Sequence, residues 1–198
     1  MKNRILLGFA ALAMVAFLSS CGKVPQAQID ATNAAIDSAK VLQADVYIPA
    51  EFAALQDSMK AITTDVEAQK SKLFKKFGPV KIKLDQTLAL AKTVQANAVA
   101  KKEEVKKQVE TLLADTKKVA EENAKLFKRA PRGKEGAQVL EAMKTEMATC
   151  ETSCTDAQGL YDKGAYMDAF NKATAAKATA DKINEELKAA IKKVGGRI

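Results

Sequence analysis

The fold is decided by residues 80–127, VKIKLDQTLALAKTVQANAVAKKEEVKKQVETLLADTKKVAEENAKLF. Gly78-Pro79 precedes this stretch and Pro131-Arg132-Gly133 follows it, but no Pro or Gly lies inside it. Apolar residues recur every seventh position and form one stripe along a helix: Leu84, Ala91, Ala98, Val105, Leu112, Val119 and Leu126. A helix of about 48 residues rises about 70 Å, whereas an average helix has only about 11–12 residues. The stretch therefore predicts one long central helix.

The composition extends this prediction to the whole chain. Apolar residues make up 47% of the 198 positions and aromatic residues only 5%, so alanine supplies much of the apolar fraction. Alanine favours helix and lets helices approach closely, and no run of β-branched residues alternates as a strand would. We predict an all-α fold, an elongated antiparallel helical bundle or coiled coil.

Apolar spacing and helix breakers divide the rest of the chain. Pro49 suits the first turn of a helix, and the residues that follow it keep the 3-4 spacing of a coiled coil: Phe52, Leu55, Met59, Ile62, Val66 and Leu73. We expect the bundle over residues 29–194 and a frayed tail over 195–198. The predicted helices are 27–44, 49–77, 80–128, 134–162 and 165–194.

The first residues have the pattern of an export signal. Lys2 and Arg4 precede an apolar run over residues 5–18, which is shorter than the roughly 20 residues that span a bilayer. Small residues and a cysteine follow the run: Leu18, Ser19, Ser20 and Cys21. An ordinary signal peptide with an incidental cysteine, or a short buried helix, is the alternative interpretation.

This order of charge, apolar run, small residues and cysteine resembles the lipobox of bacterial lipoproteins. The resemblance implies that residues 1–20 are cleaved as a signal peptide and that Cys21 becomes the lipidated N-terminus of a short tether, residues 21–28. Several acyl chains give stable membrane anchoring. In that family Asp after the cysteine usually retains the protein in the inner membrane. Gly22 therefore implies the outer membrane, facing the periplasm, if the source bacterium has one.

Two further segments resemble an alanine-rich helical domain of unknown function found in bacterial envelope lipoproteins. They are PAEFAALQDSM, starting at Pro49, and KGAYMDAFNKATAAKATADKINEEL, starting at Lys163. The shared pattern is a Pro-Ala-Glu helix start and a Gly-x-Tyr turn followed by alanines at every third or fourth position. The resemblance implies a helical envelope module and no catalytic residue.

Cys150 and Cys154 lie one helical turn apart on an apolar stripe. An exported protein enters an oxidising compartment, so the two can form a local disulfide, although a disulfide needs Cβ atoms closer than a regular helix places them. A redox switch, a bridge between chains and simple core packing are the other interpretations. No metal site is expected from two cysteines without His.

Basic residues cluster at three predicted turns or ends. One cluster surrounds Gly78, and another surrounds Pro131 and is joined by the chain terminus: Lys125, Lys128, Arg129, Arg132, Lys134, Lys192 and Lys193. If the first two helices ran in line beside the long helix, Cys21 would start at the Pro131 end. We therefore expect that end on anionic lipid headgroups and the Gly78 end facing an anionic cell-wall polymer. Routine lysines at solvated helix ends are the alternative.

Several activities are disfavoured. The chain has no His, the commonest general base near neutral pH, and its residues 132–136 lack the ending of a phosphate-binding loop. A basic surface with interleaved aromatic residues, which nucleic-acid binding needs, is also missing. The formal charge of +8 falls by two when Lys2 and Arg4 are removed, and it still favours anionic partners.

We therefore expect a non-enzymatic, membrane-anchored envelope lipoprotein that acts as a structural or protein-interaction scaffold or spacer. Its partner is an envelope protein or a second copy of the chain, and its only non-protein group is the lipid on Cys21. The alternative function is a periplasmic binding module for an anionic polymer or for a small ligand held between helices.

Overall fold

A computed structural model of the chain describes residues 22–132 and 134–195. The prediction of an all-α fold with a long central helix is confirmed, since most of the described residues are helical and none of them lies in a strand. Their helices are α1 Gln26–Val41, α2 Ala44–Tyr47, α3 Pro49–Lys70, α4 Gly78–Arg129, α5 Lys134–Asp162 and α6 Tyr166–Lys193. The central helix, α4, has 52 residues.

The described residues pack as two compact units, one up to Ala100 (unit 1) and one from Lys101 onward (unit 2). The sequence predicted one bundle over residues 29–194. The difference arises because α4 contributes its residues up to Ala100 to the core of unit 1 and the later ones to the core of unit 2. The division falls within the polar middle of α4, where KKEEVKKQ has Val105 as its one apolar residue.

In unit 1, α1 runs parallel to the first part of α4. The Gln28 side-chain amide donates a hydrogen bond to Asp85 (2.8 Å), and further along both helices Gln95 donates to the Ala35 carbonyl (2.7 Å). Residue numbers rise together along the two helices, so both start at the same end of unit 1.

Helix α3 runs antiparallel to both. Lys83 near the start of α4 pairs with Asp65 near the end of α3 (2.6 Å), and Asn97 donates to Glu51 in the first turn of α3 (2.8 Å). The end of unit 1 that holds the α3–α4 connection therefore also holds the start of α1. We call it the N-terminal end of unit 1.

Apolar side chains fill unit 1 in two clusters. One lies at the N-terminal end and combines Ile62, Val66, Phe77, Val80 and Leu84 with the partly buried Val24, Ile29 and Met59. The other, towards the opposite end, contains Ala39, Ala44, Phe52, Leu55, Ala91, Val94 and Ala98. Val24, which lies three residues after Cys21, thus packs with Phe77 and Val80. The expectation that the first two helices run in line is wrong, because α1 folds back against α3.

Two predicted helix ends in unit 1 shift. Helix α3 ends at Lys70 instead of residue 77, so Leu73, expected on the buried stripe, is 91% exposed. The connection is closed by the Lys76 N–H, which donates to the Gln69 side chain (3.1 Å), and it brings Phe77 into the core. Helix α1 ends at Val41 because Gln43 adopts a left-handed conformation (φ 62°), which starts α2 and buries Tyr47.

Unit 2 contains the rest of α4 with α5 and α6. Ion pairs Asp156–Lys172 (2.6 Å) and Glu146–Lys182 (3.6 Å) show that α5 and α6 are antiparallel, and Gly164 makes the turn between them with φ 77°. Glycine, which has no Cβ, adopts such a conformation at the lowest cost. Small buried residues let these helices approach closely: Ala157, Ala169, Ala173, Ala176 and Ala180.

Helix α4 runs parallel to α6 in unit 2. Glu122 pairs with Lys188 (2.8 Å), and this ammonium group holds the pKa of the Glu122 carboxyl below its usual value. At the same end of unit 2, Leu126 and Ala130 pack with Met143 from α5 and with Ile183, Leu187 and Ile191 from α6. The apolar stripe of α4, which repeats every seven residues, lies against the core of each unit. Its buried members are Leu84, Ala91, Ala98, Val105 and Leu126, and its half-buried members are Leu112 and Val119.

Candidate functional site

A groove of about 1270 Å³ lies between α4 and α5 in unit 2. Helix α4 lines it from Glu110 to Ala124, and α5 lines it from Lys144 to Asp162. The floor comes partly from α6, whose Ala180 and Ile183 are almost fully buried. The groove thus follows α4 from Glu110 to Ala124, where α4 and α5 do not pack closely against each other.

The walls of the groove are apolar and its edges are charged. Apolar or small side chains along it are Leu113, Ala114, Ala120, Ala124, Met147, Ala148, Cys150, Cys154, Gly159 and Ile183. Charged residues on it are Glu110, Lys117, Glu121, Lys144, Glu151 and Asp162. Because the edges carry more carboxylates than ammonium groups, they favour a ligand with one apolar face and basic groups along the borders of that face.

A tyrosine joins the two walls. The Tyr161 hydroxyl of α5 donates a short hydrogen bond to the Glu110 carboxylate of α4. This bond raises the pKa of Tyr161 to about 12, because ionisation would set a phenolate against the carboxylate. The Tyr166 ring lies 5.2 Å from the Tyr161 ring, and the Lys106 ammonium lies 5.8 Å from the centre of the Tyr166 ring. The Tyr161–Glu110 bond therefore joins α5 to α4 at this position, and the Lys106–Tyr166 contact joins α4 to α6 beside it.

Two buried asparagines set the register of α4 against α6 beneath the groove. Asn123 donates to the Ala180 carbonyl (2.7 Å), and Asn184 donates to the Asn123 side-chain oxygen (2.8 Å). Loss of either partner would leave a buried polar group without its hydrogen bond, which typically costs about 1–3 kcal/mol. The pair therefore holds the floor of the groove in place.

Cys150 and Cys154 both line the groove, one helical turn apart. Both are free thiols in this structure, and Cys150 donates to the Ala176 carbonyl (3.2 Å). The pKa of the Cys150 thiol is raised to about 11. Burial is the largest cause, and the neighbouring Cys154 sulfur is the second. Burial also raises the pKa of the half-buried Cys154. The disulfide, the redox switch and the bridge between chains stay predictions.

The predicted basic cluster lies at one end of unit 2. Leu126 and Ile191 share a core cluster there, and α4 and α6 end beside it with exposed basic side chains: Lys125, Lys128, Arg129, Arg132, Lys192 and Lys193. Lys134 begins α5. The fold thus brings the two segments of this cluster together, while their contact with an anionic surface stays a prediction.

The lipobox residues Leu18, Ser19, Ser20 and Cys21 lie outside the described residues, as do residues 196–198 of the predicted tail. Within residues 22–132 and 134–195, no helix is long and apolar enough to cross a bilayer. In the same ranges, no group of three His, Cys, Asp or Glu side chains could hold a metal ion.

Sequence reasoning missed the groove and the Tyr161–Glu110 bond. Both depend on which helices face each other, and that cannot be read from the spacing within one helix. The available signal was the set of small residues at wall positions, namely Ala114, Ala120, Ala124, Ala148 and Gly159, because small side chains leave space between helices.

No protein-family model, curated protein or solved structure matches this sequence.

The thiols give a direct test of the groove geometry. At pH 8 we expect iodoacetamide to alkylate Cys154 well before Cys150, because a pKa of about 11 leaves about one Cys150 thiol in a thousand ionised. In a Cys154→Ala variant, the rate at Cys150 should rise about tenfold per pH unit between pH 8 and pH 10. Mass spectrometry of the alkylated peptides measures both rates. Equal rates at the two cysteines of the folded protein would contradict the burial of Cys150.

Proposed function

We propose that the chain is a lipid-anchored envelope lipoprotein that serves as a non-enzymatic interaction scaffold. In this proposal the α4–α5 groove of unit 2 binds an amphipathic helix of a protein partner. The anchor is supported by the order of residues before Cys21. The binding role is supported by one observation above the others, the long groove with apolar walls and charged edges.

The dimensions of the groove favour a helix over a small molecule. The wall on α4 extends from Glu110 to Ala124, which corresponds to about 21 Å of helix rise. Its volume of about 1270 Å³ also exceeds the roughly 300–1,000 Å³ of typical small-ligand pockets. A helix of three to four turns presents apolar residues at a spacing that suits such a groove.

The charges define the partner further. Glu121 lies on one wall and Glu151 on the other, and both are exposed. Basic residues beside the apolar face of the partner helix would be attracted to these carboxylates, which speeds association and fixes orientation more than it adds affinity. An anionic polymer would be repelled from the same edges.

A small apolar ligand is the second candidate. It is favoured by the Tyr161–Glu110 bond, which joins the two walls at one end of the groove. Such a ligand would lie against Met147 and Cys154, away from that contact. Protection of Cys154 therefore reports on either occupant.

The occupant is tested with two defined probes on the purified protein. A 14-residue amphipathic peptide of leucine and lysine should slow alkylation of Cys154 in a saturable way, because a bound helix covers that thiol. Ala148→Trp, which fills the groove, should abolish this protection. Ala142→Trp is the matched control, since Ala142 is exposed on the same helix and lies outside the groove.

N-phenyl-1-naphthylamine is the small apolar probe. Protection of Cys154 by this probe and not by the peptide would favour the second candidate. If neither probe protects Cys154, or if Ala142→Trp acts as strongly as Ala148→Trp, the groove is not the binding site.

The anchor is tested by intact mass spectrometry of the chain expressed in a bacterium with an outer membrane. The membrane-bound product should lack residues 1–20 and carry acyl groups on Cys21. A Cys21→Ala variant should keep residues 1–20 and carry no lipid, whereas Cys150→Ala should be processed like the wild type. A wild-type product with a free Cys21 thiol would contradict lipid anchoring.

A further inference from the structure

The connection between α3 and α4 exposes two adjacent large apolar side chains. Its sequence from Ser71 is SKLFKKF, in which Leu73 is 91% exposed and Phe74 is 80% exposed. A soluble protein normally buries such a pair, and exposed apolar groups in a polar setting mark contact surfaces. We call residues 71–77 the α3–α4 loop.

The packing of the two loop ends leaves Leu73 and Phe74 exposed to solvent. Phe77, at the end of the loop, is fully buried with Ile62, Val66 and Val80 in the core of unit 1. The Lys76 N–H donates to the Gln69 side chain (3.1 Å), and the Ser71 hydroxyl donates to the Ala68 carbonyl (3.0 Å). Both ends of the loop are thus fixed, while Leu73 and Phe74 lie on its outer side.

The charges around the pair all have one sign. Lys72, Lys75 and Lys76 flank it, and no carboxylate lies between Lys70 and Lys83. The nearest acidic residues along the chain are already engaged, since Glu67 pairs with Lys70 (2.7 Å) and Asp65 pairs with Lys83 (2.6 Å). None of the ion pairs between described residues includes Lys72, Lys75 or Lys76. Two exposed apolar side chains surrounded by cations fit an anionic phospholipid surface. The acyl chains would contact Leu73 and Phe74, and the phosphates would bind the lysine ammonium groups.

The first described residues lie at the same end of unit 1. Val24 packs in the cluster that contains Phe77 and Val80. The three residues from Cys21 to Val24 can span at most about 11 Å. A lipid on Cys21, which is part of the proposed function, would therefore bring the loop to the bilayer surface.

We propose that the α3–α4 loop is a second membrane contact, in which Leu73 and Phe74 enter the interfacial layer and Lys72, Lys75 and Lys76 bind anionic headgroups. The acyl chains on Cys21 would hold the chain at the bilayer, and an additional protein contact would fix the orientation of unit 1 on the membrane. This role belongs to the end of unit 1 that the sequence analysis assigned to a cell-wall polymer.

The test uses the unlipidated mature chain, residues 22–198, which keeps every residue of both cores. Vesicles of phosphatidylcholine with phosphatidylglycerol should sediment with it, and vesicles of phosphatidylcholine alone should bind it more weakly. Leu73→Ser with Phe74→Ser should weaken partitioning about tenfold or more, because two apolar side chains no longer leave water. Val41→Ser is the apolar control, since Val41 is 82% exposed at the opposite end of unit 1.

Charge is tested by two triple variants that remove the same charge. Lys72→Gln, Lys75→Gln and Lys76→Gln together should reduce binding and its dependence on salt. Lys40→Gln, Lys60→Gln and Lys92→Gln together, which remove exposed lysines of α1, α3 and α4 outside the loop, should leave binding close to that of the wild type. An equal loss in both triple variants would overturn the loop as the contact and leave only a general attraction of positive charge.

The chain contains no Trp, so Phe74→Trp introduces a single fluorescent probe at the loop. Binding to anionic vesicles should shift its emission to the blue, because the indole leaves water, and brominated lipids should quench it. Neither change should occur in Val41→Trp. Wild-type protein that fails to bind anionic vesicles, or binds isolated cell-wall polymer through the same lysines instead, would also overturn the proposal. Because this protein has no lipid, either result leaves the mass of the acylated Cys21 product as an independent test of the anchor.

Discussion

Burial of one apolar stripe on α4 is the constraint on which both units depend. Leu84 and Ala91 fill the core of unit 1, and Val105 and Leu126 are buried in unit 2. Isolated helices gain little stability from propensity alone, so tertiary packing along such a stripe maintains most of a long helix. Helices α1 and α3 pack around the first part of α4, and α5 and α6 pack around the second part. Because the partner helices differ, unit 1 exposes the α3–α4 loop and unit 2 exposes the groove.

The distribution of small residues decides where unit 2 closes and where it opens. Alanines at Ala173, Ala176 and Ala180 bring α5 and α6 together, whereas Ala120 and Ala148 line the space between α4 and α5. The same residue type therefore produces close contact in one place and a groove in another. The Tyr161–Glu110 bond joins the two walls at one end of the groove, and the Asn123–Asn184 pair sets the register of α4 against α6 beneath it.

Sequence reasoning predicted the helical class and the stripe on α4, because periodicity over many turns depends on local geometry alone. It placed Leu73 in the core, since 3-4 spacing continues past Lys70 and carries no information about where a helix stops. The fold-back of α1 depends on Gln43 in a left-handed conformation, which the sequence does not mark as a Gly would. The groove and the exposed loop depend on contacts between helices distant in sequence, so neither could be predicted. The lipobox at Cys21 stays a prediction from sequence.

Hydrogen exchange along α4 tests most directly whether this helix serves two separately stabilised units. Leu84→Ala removes a fully buried side chain from unit 1, and such changes cost about 2–5 kcal/mol. Amides of α1, α3 and residues 80–100 should then exchange faster, while those of residues 105–126, α5 and α6 keep their wild-type protection. An increase in exchange of equal size in both units would show that they unfold together and would contradict the division at Ala100.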